Sequence, residues 1–378
     1  MAVTSGLADS GPRPNRKALA RAPRRNAASP LRSGQTVAQN AEFLDMPVAR
    51  KVVRTVKSKQ TIPVYDVLAV GMIHRVAVGA APQIKGTTML QKQQYFEQNL
   101  DHIRKAIVCG RSDGPNLVGV LVTEAAHPDA DVGIIYFAPQ GYWAMCGSGT
   151  FALGVFLIEC GLVEAREPVT EITLEMVAGL MKLRADVEDG RVTLVSTTTE
   201  PVFHLRKAEI ELANYGRVPI DISYCLNQFE PQLDVGALGI EVTEDNRDEL
   251  LRVGIEVRHI VNQSIEMCHP TTPAIDRVIQ VQLYDPDPGV QGVDCRCVAI
   301  YGEDGFDLTP SGTSTCAHMA TKWAKGDMGV GDSFVMQSVT GAVIQAEILS
   351  DTMVGDVKAI IPQISGSAQI TRVGTVFA

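Results

Sequence analysis

Cys146 and the residues that follow it form the stretch of the chain best suited to acid–base chemistry. Residues 143–158 read WAMCGSGTFALGVFLI, in which a small-residue turn opens into an apolar run. This run predicts a helix that is buried nearly all round and begins at Cys146. At a helix N-terminus the unpaired amides and the macrodipole favour an anion, and they can lower a thiol pKa from about 8.5 to about 3.5–7.5. The amides of Gly147, Ser148 and Gly149 are placed to hold a carboxylate.

The same pattern occurs a second time in the chain. For an isolated Cys-Gly pair, a buried structural cysteine at a tight turn is the alternative interpretation. Here, however, residues 311–315 (SGTST) align with residues 146–150 (CGSGT). Residues 336–345 align with residues 174–183 at nearly the same offset in sequence. The repeat indicates an internal duplication of a whole lobe. Two related lobes would bring two helix N-termini to one cleft.

The composition favours a two-domain α/β globular protein. The chain has 378 residues, 45% of them hydrophobic, and 33 glycines, which suits a substantial core. Its net charge of −9 argues against binding to nucleic acid or to an anionic membrane. We find no apolar run that reaches the roughly 18 residues of a membrane span.

The eight cysteines show no metal-ligand spacing apart from Cys295-x-Cys297. Because that pair has no partner pair, core packing is a better interpretation than zinc. Free thiols in this number suit a reducing compartment, so a cytoplasmic location is expected.

Residues 1–58 differ in composition from the rest of the chain. They are rich in Arg, Ala, Ser, Pro and Gly and contain few acidic or apolar residues. Such a segment lacks the apolar side chains needed for a core, so we expect a disordered basic extension. An organellar transit peptide is the alternative, although repeated prolines disfavour its amphipathic helix.

The remaining predicted elements fall into two lobes. Lobe 1 consists of residues 59–205 and is completed by residues 355–378, and lobe 2 consists of residues 206–354. The periodicity predicts one helix over residues 88–106 and another that runs from Gly312 to about Lys325. Predicted strands lie at residues 64–82 (two strands), 117–123, 132–138, 172–183, 192–199, 260–264, 278–283, 297–301, 334–337, 343–349, 359–364 and 369–376.

Five motifs carry a resemblance to a known family: GTTMLQK at 86–92, HPDADVG at 127–133, MCGSGT at 145–150, DLTPSGTST at 307–315 and IPQISG at 361–366. On these motifs the chain resembles the proline racemase family from Tyr65 to its C-terminus. That family includes hydroxyproline epimerases and trans-3-hydroxyproline dehydratases. The resemblance implies an α/β (α+β) fold of two mirrored lobes. Each lobe would be a curved, mostly antiparallel sheet wrapped around a central helix, with the active site between the lobes.

The resemblance also implies roles for individual residues. Cys146 takes the position of the first catalytic base, a thiolate that removes the α-proton while the helix ends stabilise the developing charge. Asp307 takes the position that holds the ring nitrogen, with a turn aspartate as the alternative interpretation. The substrate carboxylate would rest on amides at the two helix N-termini: Gly147, Ser148, Gly312 and Thr313.

The second catalytic position is Ser311 and not a cysteine. A racemase needs two groups of near-neutral pKa on opposite faces of the substrate, and an alkoxyl is too weak an acid or base without an activating partner. No His or Lys lies beside Ser311 in the sequence. Members with cysteine first and a hydroxyl second resemble the dehydratase branch. There one cysteine removes the α-proton, the 3-hydroxyl departs, and the enamine becomes a cyclic imine without a cofactor.

Other departures lie around the expected substrate pocket. Leu68 and Met72 stand where the family motif D-x-H-x-x-G-E has its His and Glu, and Ser148 stands where many members have His. The family's G-G-N-F loop is recognisable only in the stretch that contains Cys225 and Leu226. These differences predict a rewritten pocket.

The sequence thus predicts a cofactor-independent enzyme that acts at the α-carbon of proline-type amino acids. The first hypothesis is a hydro-lyase that converts trans-3-hydroxy-L-proline into the cyclic imine. A proline racemase or 4-hydroxyproline epimerase is the alternative, in which Ser311 or a water supplies the second proton. A family-fold protein that only binds an imino acid is the third. The expected partner is a small-molecule substrate, and no metal, nucleic acid or membrane is expected. The sequence leaves open whether the protein is a homodimer.

Overall fold

The computed structural model describes residues 60–81, 83–110 and 117–378. The predicted basic extension, residues 1–58, lies outside this part of the chain. No helix in the described residues is long and apolar enough to cross a membrane.

The first part of the described chain contains nine strands and two helices. The helices are α1 (Met89–Val108) and α2 (Gly147–Glu159). The strands are β1 (Thr61–Ala69), β2 (Met72–Val78), β3 (Val118–Thr123), β4 (Val132–Ala138), β5 (Gly141–Trp143), β6 (Val169–Met176), β7 (Gly179–Glu188), β8 (Arg191–Thr198) and β9 (Phe203–Leu212).

The second part repeats this plan. Its helices are α3 (Arg247–Ser264) and α4 (Gly312–Lys325), and two 3₁₀ turns lie at Gly236–Leu238 and Glu244–Asn246. The strands are β10 (Gly216–Cys225), β11 (Gln228–Asp234), β12 (Gln280–Asp285), β13 (Cys295–Tyr301), β14 (Gly305–Phe306), β15 (Ser333–Gln337), β16 (Val343–Val354), β17 (Val357–Gly366) and β18 (Ala368–Phe377).

The strand pairings show the duplication. Sixteen strands pair in the order β18-β1-β2-β3-β4-β6-β7-β8-β17-β16-β15-β13-β12-β11-β10-β9, which has the same pattern from either end. Pairs are antiparallel except β2–β3, β4–β6, β11–β12 and β13–β15. The chain between the strands of each parallel pair contains one helix, as parallel neighbours require a crossover. The predicted α/β (α+β) class with mostly antiparallel sheet is confirmed.

Helix α2 is buried nearly all round, as its apolar sequence predicted. Every residue from Gly149 to Ile158 is buried. Glycine permits the close approach of helix and sheet, since a Cβ added at Gly154 would lie 2.7 Å from a methyl carbon of Val195 on β8. The helix that carries Cys146 is thereby fixed inside the sheet.

The strand predicted at residues 260–264 is wrong, because these residues form the end of α3. The buried positions of this helix include Leu250, Val253, Val257 and Val261. Their spacing of three or four residues is that of a helix face. A five-residue window at the helix end is too short to show this period.

The single strand predicted over residues 172–183 is two strands, β6 and β7. They pair across a tight turn that brings Met176 opposite Gly179. Gly179 has a φ of +117°, a conformation that glycine adopts without steric cost. Apolar alternation continues through the turn, so the hydrophobic pattern alone does not mark it.

The packing of α2 on β8 makes Gly154→Ala destabilising, although alanine favours helices by about 0.8–1.0 kcal/mol over glycine. Overpacking against Val195 costs about 1–3 kcal/mol, so we expect a net loss in the free energy of unfolding. Denaturant titration measures it.

Gly147→Ala is the matched control, because nothing lies within 4 Å of a Cβ added there. Combining Gly154→Ala with Val195→Ala should cost less than the sum of the two single changes. A Gly154→Ala variant as stable as the wild type would contradict this account of the packing.

Candidate active site

Helix α2 begins at Gly147, with Cys146 as its N-cap. The Cys146 backbone is extended (φ −148°, ψ 116°), and its side chain makes no capping hydrogen bond. The first turn contains no acidic residue, so no carboxylate of the helix itself offsets the partial positive charge of the first amides. This helix end is therefore suited to holding an anionic group.

His74, from strand β2, lies against this helix end. Its Nε2 is 3.0 Å from Ser148 Oγ and 3.9 Å from Cys146 Sγ, and those two atoms are 3.6 Å apart. Burial lowers the pKa of His74 to about 4, while the backbone of Met72 and Val67 opposes the shift. The imidazole is therefore neutral near neutral pH, and one ring nitrogen can accept a proton.

The thiol of Cys146 has a raised pKa. Burial is the main cause, the Ser148 hydroxyl and the Gly149 amide oppose the rise, and the negative charge of Asp307 adds to it. The lowered pKa expected from the sequence is therefore wrong. The helix end is present, but the loss of water around a side chain that is only 9% exposed outweighs it.

Helix α4 begins at Gly312, with Ser311 as its N-cap. Ser311 has a positive φ (54°, with ψ 110°), a strained conformation for a residue with a side chain and one found at functional sites. Its Oγ accepts a hydrogen bond from the Ser314 amide at 3.2 Å. Its own amide donates to Thr309 Oγ1 at 3.1 Å. These two bonds hold Ser311 in place.

Two polar side chains from neighbouring strands lie behind Ser311. Gln280, on β12, places its Nε2 3.3 Å from Ser311 Oγ, 3.3 Å from Ser314 Oγ and 3.0 Å from Glu230 Oε2. Glu230, on β11, is fully buried, and its Oε1 is hydrogen-bonded to Ser314 Oγ. Burial raises the pKa of Glu230 to about 8, although the bonds from Ser314 and Gln280 oppose the rise.

Asp307 directly follows β14. Its Oδ1 accepts a hydrogen bond from the Thr309 amide at 2.8 Å, which is the turn role that the sequence left open. Burial raises the pKa of Asp307 to about 6 against that bond. The negative charge of Asp307 raises the pKa of both Cys146 and Glu230. The carboxyl is thus close to residues at both helix N-termini.

The two helix N-termini share one exposure pattern. The N-cap and the third helical residue are buried, and the two positions between them are half-buried. In order, the two sets are Cys146, Gly147, Ser148 and Gly149, and Ser311, Gly312, Thr313 and Ser314. Helices α2 and α4 contact one another. The amides predicted to hold a carboxylate therefore lie at the accessible edge of each helix end.

A cavity of about 660 Å³ lies near the other end of α2. Its lining includes Leu68, Glu159 and Arg191 but neither Cys146 nor Ser311. Leu68, which the sequence predicts at the substrate pocket, lines this separate cavity.

Three other departures from the family motifs lie in structural positions. Met72 and Cys225 are buried in the core cluster around α2 and α4. Leu226 and Asn227 have positive φ values of 48° and 65° and form the turn between β10 and β11. The hairpin is therefore kept although its glycines are replaced.

The core packing predicted for Cys295 and Cys297 is confirmed, since both are buried in the same core cluster. Among the described residues, no group of three or more His, Cys, Asp or Glu side chains is placed to hold a metal ion.

His74, Glu230 and Gln280 were not predicted from the sequence. His74 is the third residue of β2 and Glu230 the third residue of β11, so equivalent hairpins bring them to the two helix ends. The sequence carried one signal for His74, the Ser148 that stands where many members of the resembling family have His. A histidine from β2 lies beside that serine.

Comparisons with known proteins agree with the motifs. A family model described as proline racemase matches residues 64–378. The chain is 36% identical over 316 residues to proline racemase from Clostridioides difficile, which covers 83% of this chain and 94% of that protein. It is 27% identical over 317 residues to trans-3-hydroxy-L-proline dehydratase from Burkholderia ambifaria, and this match covers 83% of this chain and 93% of that protein.

Among solved structures, a hydroxyproline epimerase from Agrobacterium vitis with bound trans-4-hydroxy-L-proline is similar, with a TM-score of 0.72 at 29% identity. The match covers 84% of this chain and 93% of that chain.

Without added substrate, Cys146 should titrate above the ordinary cysteine value of 9.0. Asp307→Asn should lower this pKa, because it removes a negative charge that disfavours the thiolate. The ultraviolet absorbance of the thiolate, taken as the difference from Cys146→Ser, measures the titration.

Asp304→Asn is the control, since Asp304 is exposed in the turn just before β14. A Cys146 pKa below 9.0, or the same pKa in wild type and Asp307→Asn, would contradict this description of the site.

Proposed function

This chain belongs to the proline racemase family, and we propose that it is a cofactor-independent dehydratase of trans-3-hydroxy-L-proline. The family supports enzymatic action at the α-carbon of proline-type amino acids. The finer assignment to water elimination rests on the asymmetry between Cys146 and Ser311.

The hydrogen-bond polarity of Ser311 carries the proposal. Its Oγ accepts N–H bonds from Ser314 and Gln280, and no hydrogen bond leads from its hydroxyl to another described residue. An oxygen that accepts two such bonds is a weaker base, while its hydrogen is left to point toward the cleft. Ser311 is therefore better suited to donate to a departing hydroxyl than to remove a proton from carbon.

Cys146 is the proposed base for the α-proton. The raised thiol pKa keeps Cys146 protonated until a cation approaches, and the ring ammonium of a proline-type substrate beside Asp307 supplies one. An opposite charge near a thiol lowers its pKa. The thiol proton passes to solvent, and His74 Nε2, 3.9 Å from Sγ, can donate a hydrogen bond to the thiolate that remains.

The proposed elimination removes one water from the substrate. The thiolate takes the α-proton, the electron pair forms a Cα=Cβ double bond, and the bond from Cβ to the hydroxyl oxygen breaks. The departing hydroxide takes up the proton that the ring ammonium releases as the enamine forms, and it leaves as water while the Ser311 hydroxyl hydrogen-bonds to it. The enamine then tautomerises to the cyclic imine, and no oxidant or reductant is consumed.

A racemase or epimerase is the second candidate, and the identity of 36% to a proline racemase favours it. In that reaction the face opposite Cys146 must return a proton to carbon. A protein that only binds an imino acid would give neither reaction.

Incubation with trans-3-hydroxy-L-proline should yield the cyclic imine, whereas L-proline in deuterated water should keep its configuration. Cys146→Ser should lower imine formation about 10²–10⁴-fold, the usual contribution of a general base, while the thermal transition stays unchanged. Trapping of the imine and chiral chromatography of proline are the measurements. Racemisation of proline at an ordinary enzymatic rate would show that the dehydratase assignment is wrong.

Ser311→Cys should introduce or raise racemisation of proline. A second thiol with an ordinary pKa of about 8.5 would then lie at a helix N-terminus, opposite Cys146. Deuterium uptake into D-proline measures this gain, and imine formation should fall or stay level.

Ser338→Cys is the control for an added thiol, since Ser338 is also buried. If Ser311→Cys gains no racemisation although it is folded, Ser311 does not occupy the second catalytic position.

A further inference from the structure

We propose that Glu230 is a positioning residue for Ser311: it orients the Gln280 amide so that the Ser311 hydroxyl donates only toward the substrate. The inference deepens the proposed function and rests on it. It assigns a role to a buried carboxyl that the mechanism does not otherwise use.

The geometry makes Glu230 the anchor of a small network. Its Oε2 accepts the Gln280 amide at 3.0 Å, and its Oε1 is hydrogen-bonded to the Ser314 hydroxyl. Gln280 and Ser314 are also the two residues that donate to Ser311 Oγ. Glu230 makes no hydrogen bond to Ser311 itself, so its effect passes through these partners.

The amide of Gln280 has two possible orientations with opposite consequences. With Nε2 toward Ser311, as in the structure, the serine oxygen accepts and its hydrogen stays free. With the amide reversed, the Gln280 carbonyl oxygen would face Ser311 and take up that hydrogen. In the neutral carboxyl of Glu230 the proton lies on Oε1, toward Ser314, so Oε2 is a carbonyl oxygen that only accepts. The reversed amide would place its oxygen against this one, so Glu230 excludes the reversed state.

Burying the Glu230 carboxyl costs desolvation free energy, which its hydrogen bonds must offset. The side chain is 0% exposed, and a buried carboxyl is retained only where hydrogen bonds offset its desolvation. His74 occupies the equivalent place at the other helix end, where it contacts Ser148. Each helix N-terminus is thus supported by one buried titratable side chain from the adjacent hairpin.

The groups that face Glu230 set the sign of its pH response. Asp307 lies close enough to raise its pKa, and the thiols of Cys225 and Cys297 lie close enough to feel its charge. Burial raises the Glu230 pKa to about 8, so the carboxyl is neutral below that pH. Ionisation adds a negative charge at the helix end where the substrate carboxylate would bind, so imine formation should decline as the pH rises through this value.

Glu230→Leu and Glu230→Gln together test the proposal. Glu230→Leu frees the Gln280 amide to reverse, so imine formation from trans-3-hydroxy-L-proline should fall about 10–100-fold. Exchange of the α-hydrogen in deuterated water, which depends on Cys146, should persist and become visible. Glu230→Gln resembles the protonated carboxyl, so it should keep imine formation within about 3-fold near neutral pH and should lose the decline near pH 8.

Gln232→Leu is the matched control, because Gln232 is also buried and lies two residues along the same strand. It should leave the ratio of imine formation to α-hydrogen exchange unchanged. If Glu230→Leu forms imine at the wild-type rate, or loses exchange and elimination equally, the positioning role is overturned. Retention of the decline near pH 8 in Glu230→Gln would overturn it as well.

These failures differ from a failure of the proposed function. If the wild type forms no imine, the dehydratase assignment falls and the role of Glu230 falls with it. If the wild type forms imine and both Glu230 variants behave like it, only the role of Glu230 is lost.

Discussion

Two helices begin inside this protein, and the partial positive charge at each N-terminus is the constraint on which the site depends. Neither α2 nor α4 has an acidic residue in its first turn. At α4 the Ser311 hydroxyl accepts one amide hydrogen, whereas at α2 the Cys146 side chain caps nothing. Because no carboxylate of either helix offsets the partial positive charge of its first amides, these largely buried helix ends favour an anionic ligand. A substrate carboxylate held by both ends would fix the α-carbon between Cys146 and Ser311.

The duplicated architecture supports two different chemistries. At one end the N-cap is a thiol with a neutral imidazole, His74, beside it. At the other end the N-cap is a hydroxyl whose oxygen accepts two N–H bonds, backed by Gln280 and the buried carboxyl of Glu230. A symmetric pair of thiols could exchange protons on both faces of a substrate. In the proposed mechanism this pair is instead a base and a hydrogen-bond donor, and this asymmetry is the reason for proposing elimination and not racemisation.

The sequence was sufficient for features that depend on local pattern. The repeat around Cys146 and Ser311 located both helix ends, and the apolar run predicted the burial of α2. The partners His74 and Glu230 were missed because they reach the helix ends only through strand pairing across the sheet. The predicted lowering of the Cys146 thiol pKa was wrong for a related reason, since the helix-end effect is local whereas burial depends on packing between elements that are distant in the sequence.

The configuration of substrate recovered from a partial reaction in deuterated water tests the central claim of one-sided chemistry most directly. Unreacted trans-3-hydroxyproline would be isolated before completion and analysed for deuterium and for configuration at the α-carbon. The account predicts that any deuterium found there lies in the L isomer, because only the Cys146 face exchanges protons with carbon. Recovery of the deuterated α-epimer would show that the Ser311 face also delivers a proton, and it would contradict the account.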